Sequence, residues 1–132
     1  MKILADTNII ISALLYPTSK PALALLYAAK NHQLVFTDYN ITELRRVAGI
    51  KFPDMLPYID VLFAQLKYEL IAATPVAQKL IEDPKDAPIL DAAIKNGVDI
   101  IISGDKHFLQ LDITHPKILT VTQFLDKYGN RT

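Results

Sequence analysis

The sequence predicts an α/β fold in which a five-stranded parallel sheet is covered by helices on both faces. Five short segments are apolar throughout instead of alternating with polar residues, which is typical of strands buried on both faces. Helical segments separate them, and right-handed crossovers then place every strand-to-helix junction on one edge of the sheet. Because the 132 residues contain no linker or internal repeat, residues 1–132 are expected to form one domain with frayed last residues.

The first half of the chain alternates apolar strands with helices whose ends are marked by turn-forming residues. Pro21 suits the first turn of a helix. Asp38 or Asn40 is expected to cap the third helix, and Gly49 is expected to end it in a left-handed conformation. The predicted strands cover residues 2–5 and 34–37, and the predicted helices cover residues 9–15, 21–31, 38–49 and 55–67.

The second half repeats this alternation and contains the strongest strand. The run Asp-Ile-Ile-Ile-Ser over residues 99–103 is apolar at every inner position. Pro84 predicts a turn, because a residue before proline is pushed away from helical geometry. Gly97 ends the clearest helix, and Thr122 is expected to cap the last one. The predicted strands cover residues 70–73, 99–103 and 118–121, and the predicted helices cover residues 76–82, 86–96, 104–110 and 122–128.

Two of the predicted strands end in a hydroxyl and an acid. Asp6-Thr7-Asn8 follows the first strand, and Ser103-Gly104-Asp105 follows the fourth. Helix capping alone would account for an aspartate at the first position, but three polar residues stand where one cap suffices. The carboxyl ends of strands in open α/β sheets are where ligands bind. Asp6 and Asp105 are therefore candidate site residues.

Two further acids, Glu43 and Asp86, lie on helices that start from the same edge. Glu43 is one turn into the third helix, at the border of its core-facing stripe. Asp86 heads the apolar stripe of the helix over residues 86–96. An exposed charge for Glu43 and a carboxylate favoured by the helix dipole for Asp86 stay open as alternatives.

A cluster of these four acids would require protons or a cation. Two like charges about 4 Å apart repel by roughly 4 kcal/mol at an effective dielectric constant near 20. The chain has no cysteine, and oxygen ligands alone favour a hard ion such as Mg²⁺ or Mn²⁺. Sites of this kind typically act on phosphates.

Four stretches together resemble the PIN-domain ribonucleases, most of all the toxin components, of the VapC type or a close relative, of bacterial and archaeal toxin–antitoxin pairs. The resemblance covers nearly the whole chain and depends on the order and spacing of the stretches. They are Ala5-Asp6-Thr7-Asn8, Ile41-Thr42-Glu43-Leu44, the run from Asp83 to Leu90, and the run from Ile102 to Phe108.

The resemblance implies a three-layer fold with strand order 3-2-1-4-5 and divalent-metal-dependent endonucleolytic cleavage of RNA. It implies that Mg²⁺ or Mn²⁺ is held by four catalytic acids, Asp6, Glu43, Asp86 and Asp105. It further implies that Thr7, Asn8 and Ser103 position water or the first acid. A homodimer neutralised by a small antitoxin is the implied assembly. Some members carry a further acid just past the fourth; here the next acid is Asp112, which leaves the number of metal ions open.

Charge and composition restrict the binding partners. With 14 basic and 14 acidic residues, general binding to nucleic-acid backbones is not expected to be the main function. Local cations near the proposed edge could still hold RNA phosphates, or could be ordinary surface charges. Lys85, Lys106 and Arg46 are the expected RNA-binding residues, and Lys20, Arg45 and His107 lie near the same edge. Without a signal peptide or a membrane-spanning run, the protein is expected in the cytoplasm.

Two other functions stay open. A phosphoryl-accepting receiver domain has similar length and alternation, but needs an acid after the third strand, where residues 72–75 read Ala-Ala-Thr-Pro. A catalytically inactive PIN-fold module that binds RNA or protein is the main alternative. Apolar residues of the second and fourth helices could form either a dimer face or the core, namely Leu26, Tyr27, Phe63 and Tyr68.

Overall fold

Strands and helices alternate along the part of the chain that the computed structural model describes, residues 1–73 and 87–129. The strands are β1 (Lys2–Ala5), β2 (Gln33–Thr37), β3 (Glu69–Ile71), β4 (Ile100–Ile102) and β5 (Lys117–Leu119). The α-helices are α1 (Thr7–Leu15), α2 (Lys20–Asn31), α3 (Asp38–Lys51), α4 (Leu56–Gln65), α5 (Ala87–Lys95), α6 (Lys106–Leu109) and α7 (Val121–Tyr128). The predicted helix over residues 76–82, the turn at Pro84, Lys85 and Asp86 lie outside the described residues.

The five strands form one parallel sheet in the order β3-β2-β1-β4-β5, which confirms the predicted fold and strand order. Apolar side chains cover both of its faces. Ile3 and Phe36 belong to the core beneath α1, α2, α3, α4 and α7, whereas Leu4 and Phe108 belong to the core beneath α5 and α6. Every residue of β4 is buried, so its unbroken apolar run reflects burial on both faces.

Threonines, and not the predicted residues, cap the helices that follow β2 and β5. The Thr37 hydroxyl accepts the Asn40 N–H of α3, and the Asn40 side chain accepts the Thr37 N–H in return. Thr120 and Gln123 form the same reciprocal pair at α7. The expectations of a cap at Asp38 or Asn40, of a cap at Thr122 and of a fifth strand reaching residue 121 were therefore wrong, because each capping box shifts the helix start toward the strand.

The predicted end of the third helix at Gly49 is also wrong. Helix α3 continues to Lys51, and the Phe52 N–H closes it by donating to the Ala48 carbonyl at 2.7 Å. In the described residues the glycine with positive φ is Gly97, at +68°, which ends α5 as predicted. Glycine costs roughly 1 kcal/mol inside a helix, and α3 nevertheless includes Gly49 and the two residues after it.

Helices α1 and α2 supply much of one core. No single helix among the described residues is long and apolar enough to cross a membrane, and α1 and α2 would meet that test only as a pair bent by 110°. Of the four apolar residues considered for a dimer face, Tyr27, Phe63 and Tyr68 pack half-buried against this core. Leu26 is exposed on α2.

Candidate active site

The register of the sheet brings Asp6 and Ser103 side by side. Ala5 pairs with Ile102, and the ladder continues one residue further, where the Asp6 N–H donates to the Ile102 carbonyl at 3.0 Å. Both strands then turn into their following segments at the carboxyl edge of the sheet. The polar residues that follow β1 and β4 therefore meet between the two central strands, where the strand order reverses direction.

Asp6 is a buried carboxylate whose two oxygens are both engaged. Its residue surface is only 4% exposed. Oδ1 accepts the Ile9 N–H at 2.9 Å and so caps α1, while Oδ2 accepts a hydrogen bond from the Ser103 hydroxyl. Burial raises the pKa of Asp6 above its ordinary value and repulsion from Asp105 adds to this, against the opposing effect of those hydrogen bonds. Capping and a role in the site are therefore compatible.

Ser103 connects the two aspartates. While its hydroxyl donates to Asp6, the same oxygen accepts the Asp105 N–H at 3.0 Å. The Asp105 Oδ1 in turn accepts the backbone N–H of His107 at 2.8 Å and lies 2.8 Å from the His107 ring Nδ1. Asp105 is thereby fixed as the cap of α6, with its charge close enough to Asp6 to raise the pKa of that residue.

A buried network joins the starts of α1 and α3. The Asn40 Nδ2 donates to the Thr7 Oγ1 at 3.1 Å, and the Asn40 Oδ1 accepts from both the backbone N–H and the hydroxyl of Thr37. Thr37, Asn40 and Thr7 are all buried. Asn40 was expected only as a possible cap; the Thr37-x-x-Asn40 spacing is the sequence signal that could have identified its second role. The network fixes α3, and with it Glu43, relative to Asp6.

Glu43 faces the same cavity as the two aspartates. The cavity measures about 530 Å³, and its wall includes Asp6, Glu43 and Asp105. The Glu43 side chain is 16% exposed and is paired by both oxygens with Arg46, one turn further along α3. Thr7 and Asn8 line the cavity as well. Three of the four predicted acids are thus brought to one cavity.

These three acids do not gather around one point. Within residues 1–73 and 87–129, no three Asp, Glu or His side chains lie close enough together to hold one metal ion. The residues nevertheless fit a cation in chemistry, because a buried carboxylate repelled by a second one is stabilised by a positive charge. All the candidate donors are oxygens, which suits Mg²⁺ or Mn²⁺.

The cations around the cavity differ from the expected set. Arg46 lines the cavity wall, and so does Lys51, which was not among the predicted residues because α3 was expected to end at Gly49. Arg45 pairs instead with Asp60 of α4, outside the cavity wall. Lys106 follows Asp105 as the exposed first residue of α6. Lys85 lies outside the described residues.

Comparisons with known proteins agree with this architecture. A family profile described as PIN domain matches residues 2–107. No curated protein matches the sequence significantly. A chain in the crystal structure of VapBC2 from Rickettsia felis bound to a DNA fragment from their promoter is 18% identical, with 90% of this chain and 97% of that one covered and a TM-score of 0.70. A chain in the structure of the PIN domain endonuclease Utp24 is 16% identical, with coverages of 80% and 71% and a TM-score of 0.50. Since the profile spans most of the sequence, the chain belongs to the PIN-domain family.

Proposed function

We propose that this protein is a Mg²⁺- or Mn²⁺-dependent endoribonuclease that hydrolyses RNA phosphodiester bonds. The observation that carries the proposal is the buried Asp6 carboxylate, joined to Asp105 through Ser103 and facing a cavity that Glu43 also lines. A protein gains nothing in stability from a desolvated carboxylate beside a second one, so such a pair is typical of a site that binds a cation.

Asp6, Asp105, Glu43 and Asp86 are the residues proposed to hold the ion. When bound, a divalent ion supplies an activated water nucleophile and neutralises the charge that builds up on the phosphate. Ser103 keeps the Asp6 carboxylate in one orientation, and the Asn40–Thr7 bond keeps the start of α1 in place. His107 keeps the Asp105 carboxylate in one orientation through its contacts with Oδ1. Ordered donors reduce the reorganisation that the reaction would otherwise require.

Substrate phosphates are proposed to bind to the cations near the cavity. Arg46 and Lys51 line it, and Lys106 and Lys85 adjoin the acids Asp105 and Asp86 in sequence. Because the chain has no net charge, binding is expected to depend on these few local contacts.

We further propose that the protein is the cytoplasmic toxin of a toxin–antitoxin pair and that it forms a homodimer. The fold likeness to a chain of a VapBC2 complex supports the toxin assignment. Exposed Leu23 and Leu26 on α2 support an apolar contact face. Expression in a bacterial host should arrest growth, and co-expression of the cognate antitoxin should restore growth. Growth arrest that persists with Asp6→Asn would contradict the nuclease as its cause.

Substrate class is tested with end-labelled single-stranded RNA and DNA of one sequence in Mn²⁺. The RNA should be cut internally and the DNA left intact; cleavage of both to the same extent would contradict RNA specificity.

An inactive PIN-fold module that binds RNA or protein is the second candidate. One observation favours it: Glu43 is already neutralised by Arg46. That module would bind the RNA without cutting it.

A further inference from the structure

We propose that Arg46 holds the Glu43 carboxylate only until a cation enters the cavity, and that it then transfers to a phosphate of the substrate. The proposal rests on the proposed function, because it assigns an order of binding to that same site: cation first, phosphate second. It also gives a reason for the pairing of a predicted metal ligand with an arginine of its own helix.

The contact between Arg46 and Glu43 is an ion pair with two hydrogen bonds, and its arginine is accessible to solvent. Arg46 Nη2 donates to Glu43 Oε1 at 2.7 Å, and Nε donates to Oε2 at 3.2 Å, so both carboxylate oxygens are engaged. The arginine side chain is 51% exposed, whereas the glutamate side chain is 16% exposed. Both residues line the cavity, and the carboxylate is the more buried of the two partners.

Arg46 can exchange the Glu43 carboxylate for a phosphate because both groups present a pair of oxygen acceptors to a guanidinium. Arginine binds either group through two parallel N–H···O bonds. If Glu43 turned to a cation without a substitute partner, Arg46 would lose both bonds. A phosphate at the cavity mouth replaces them with bonds of the same kind, so Arg46 can leave Glu43 without a large net loss.

Two measurable consequences follow from the exchange. Arg46 competes with the cation for Glu43. Arg46 also repels the cation, since the guanidinium stays charged at every working pH. Removing Arg46 should therefore strengthen cation binding. In the opposite sense, Arg46 should contact phosphate only when the cation is present, so its contribution to oligonucleotide binding should depend on that ion.

The first test is calorimetric titration of Mn²⁺ into the full chain, the Arg46→Ala variant and the Arg45→Ala variant. Arg45 is a matched control, because its loss changes the net charge equally, yet it pairs with Asp60 outside the cavity wall. We expect about tenfold tighter Mn²⁺ binding for Arg46→Ala, the change given by removing one charge about 6 Å from a divalent ion in water. Arg45→Ala should bind as the unaltered chain does. Circular dichroism melting of both variants checks that the fold is kept.

The second test measures binding of a phosphorothioate-substituted single-stranded RNA, whose linkages resist hydrolysis, over a range of salt concentrations. Each phosphate contact on a single strand contributes about 0.7 to the slope of log affinity against log salt. In Mn²⁺, Arg46→Ala should reduce the magnitude of this slope by about that amount. In EDTA its slope should equal that of the unaltered chain.

The outcomes separate this proposal from the proposed function. Equal or weaker Mn²⁺ binding by Arg46→Ala overturns the exchange but leaves a Mn²⁺-dependent nuclease intact. Absence of Mn²⁺ binding in all three proteins overturns both. Mn²⁺ binding by Arg46→Ala alone contradicts the proposed order, because the unaltered chain would then not take up the cation before the phosphate. The same loss of slope with and without Mn²⁺ would make Arg46 a constant phosphate ligand and contradict the proposed order.

Discussion

Replacing Asp6 with asparagine should stabilise the fold at neutral pH while it abolishes cleavage. Asparagine caps a helix as well as aspartate does, so its Oδ1 can keep the 2.9 Å bond from the Ile9 N–H. Its amide can donate to the Ser103 oxygen, which requires the hydroxyl hydrogen to turn away at a cost of about 1 kcal/mol. Removing a buried charge recovers several kcal/mol of desolvation, less the charge-assisted strength of the two bonds. A net gain of about 1–2 kcal/mol in the free energy of unfolding results.

The pH dependence of this gain identifies its cause. The pKa of Asp6 is raised in the folded protein, so the folded state holds this proton more tightly than the unfolded chain does. The contribution of Asp6 to stability is therefore fully present below its ordinary pKa of 3.8, and is lost as the pH rises through the folded-state value. Asparagine does not titrate. The difference between the two proteins should be largest at neutral pH and should nearly vanish at about pH 3.

Thermal and urea unfolding in EDTA, at neutral pH and at about pH 3, measure this effect. For a chain of this length the gain corresponds to a rise in Tm of roughly 3–10 °C. Asp99→Asn is the matched control at the opposite end of β4, where the carboxylate accepts the Lys2 N–H at 2.8 Å and replacement should not stabilise. Lower stability of Asp6→Asn at neutral pH, or an equal gain at both pH values, would refute the reasoning.

Three further substitutions test the elements that position the site. Asn40→Ala leaves the Thr37 N–H and the Thr7 hydroxyl without their buried partner, so urea unfolding should show a loss of about 2–4 kcal/mol. A neutral result would show that the network does not hold α1 and α3 together. Gly49→Ala lies inside α3 with open space around the added methyl group, and thermal unfolding should show a gain of about 0.5–1 kcal/mol. Gly97→Ala, at φ +68°, should cost about 1–2 kcal/mol in the same assay; equal effects at both glycines would contradict the assigned backbone conformations.

The parallel sheet and the common edge of its strand-to-helix junctions could be predicted because short apolar runs determine which segments are buried strands, whereas the strand order and the placement of Ser103 beside Asp6 were implied by the resemblance to the PIN-domain family. Once β1 and β4 are neighbours, the residues after them must lie together. The partner of Glu43 was also within reach of the sequence, since Arg46 stands three residues further along the same helix. The location of this ion pair in the cavity wall could not be predicted, because spacing alone does not say whether such a pair lies in a binding site or on an ordinary surface.

The helix ends were predicted less accurately than the strands, and one wrong helix end left a residue of the cavity wall unpredicted. Gly49 has the residue type of a helix end, but α3 continues to Lys51. The two extra residues place Lys51 in the cavity wall. Residue type could not show this, because a cost of about 1 kcal/mol for a glycine within a helix does not by itself decide whether the helix continues. Asp86 stays a prediction, since it lies outside the described residues.

Cleavage of a defined single-stranded RNA, with the unaltered chain and Asp6→Asn compared in Mn²⁺ and in excess EDTA, tests most directly whether the acids hold a catalytic ion. We expect internal cleavage by the unaltered chain in Mn²⁺ and none in EDTA. Asp6→Asn should cleave in neither condition, although that variant is folded. Equal cleavage in EDTA, or full activity of folded Asp6→Asn, would contradict the assignment of a metal-dependent nuclease.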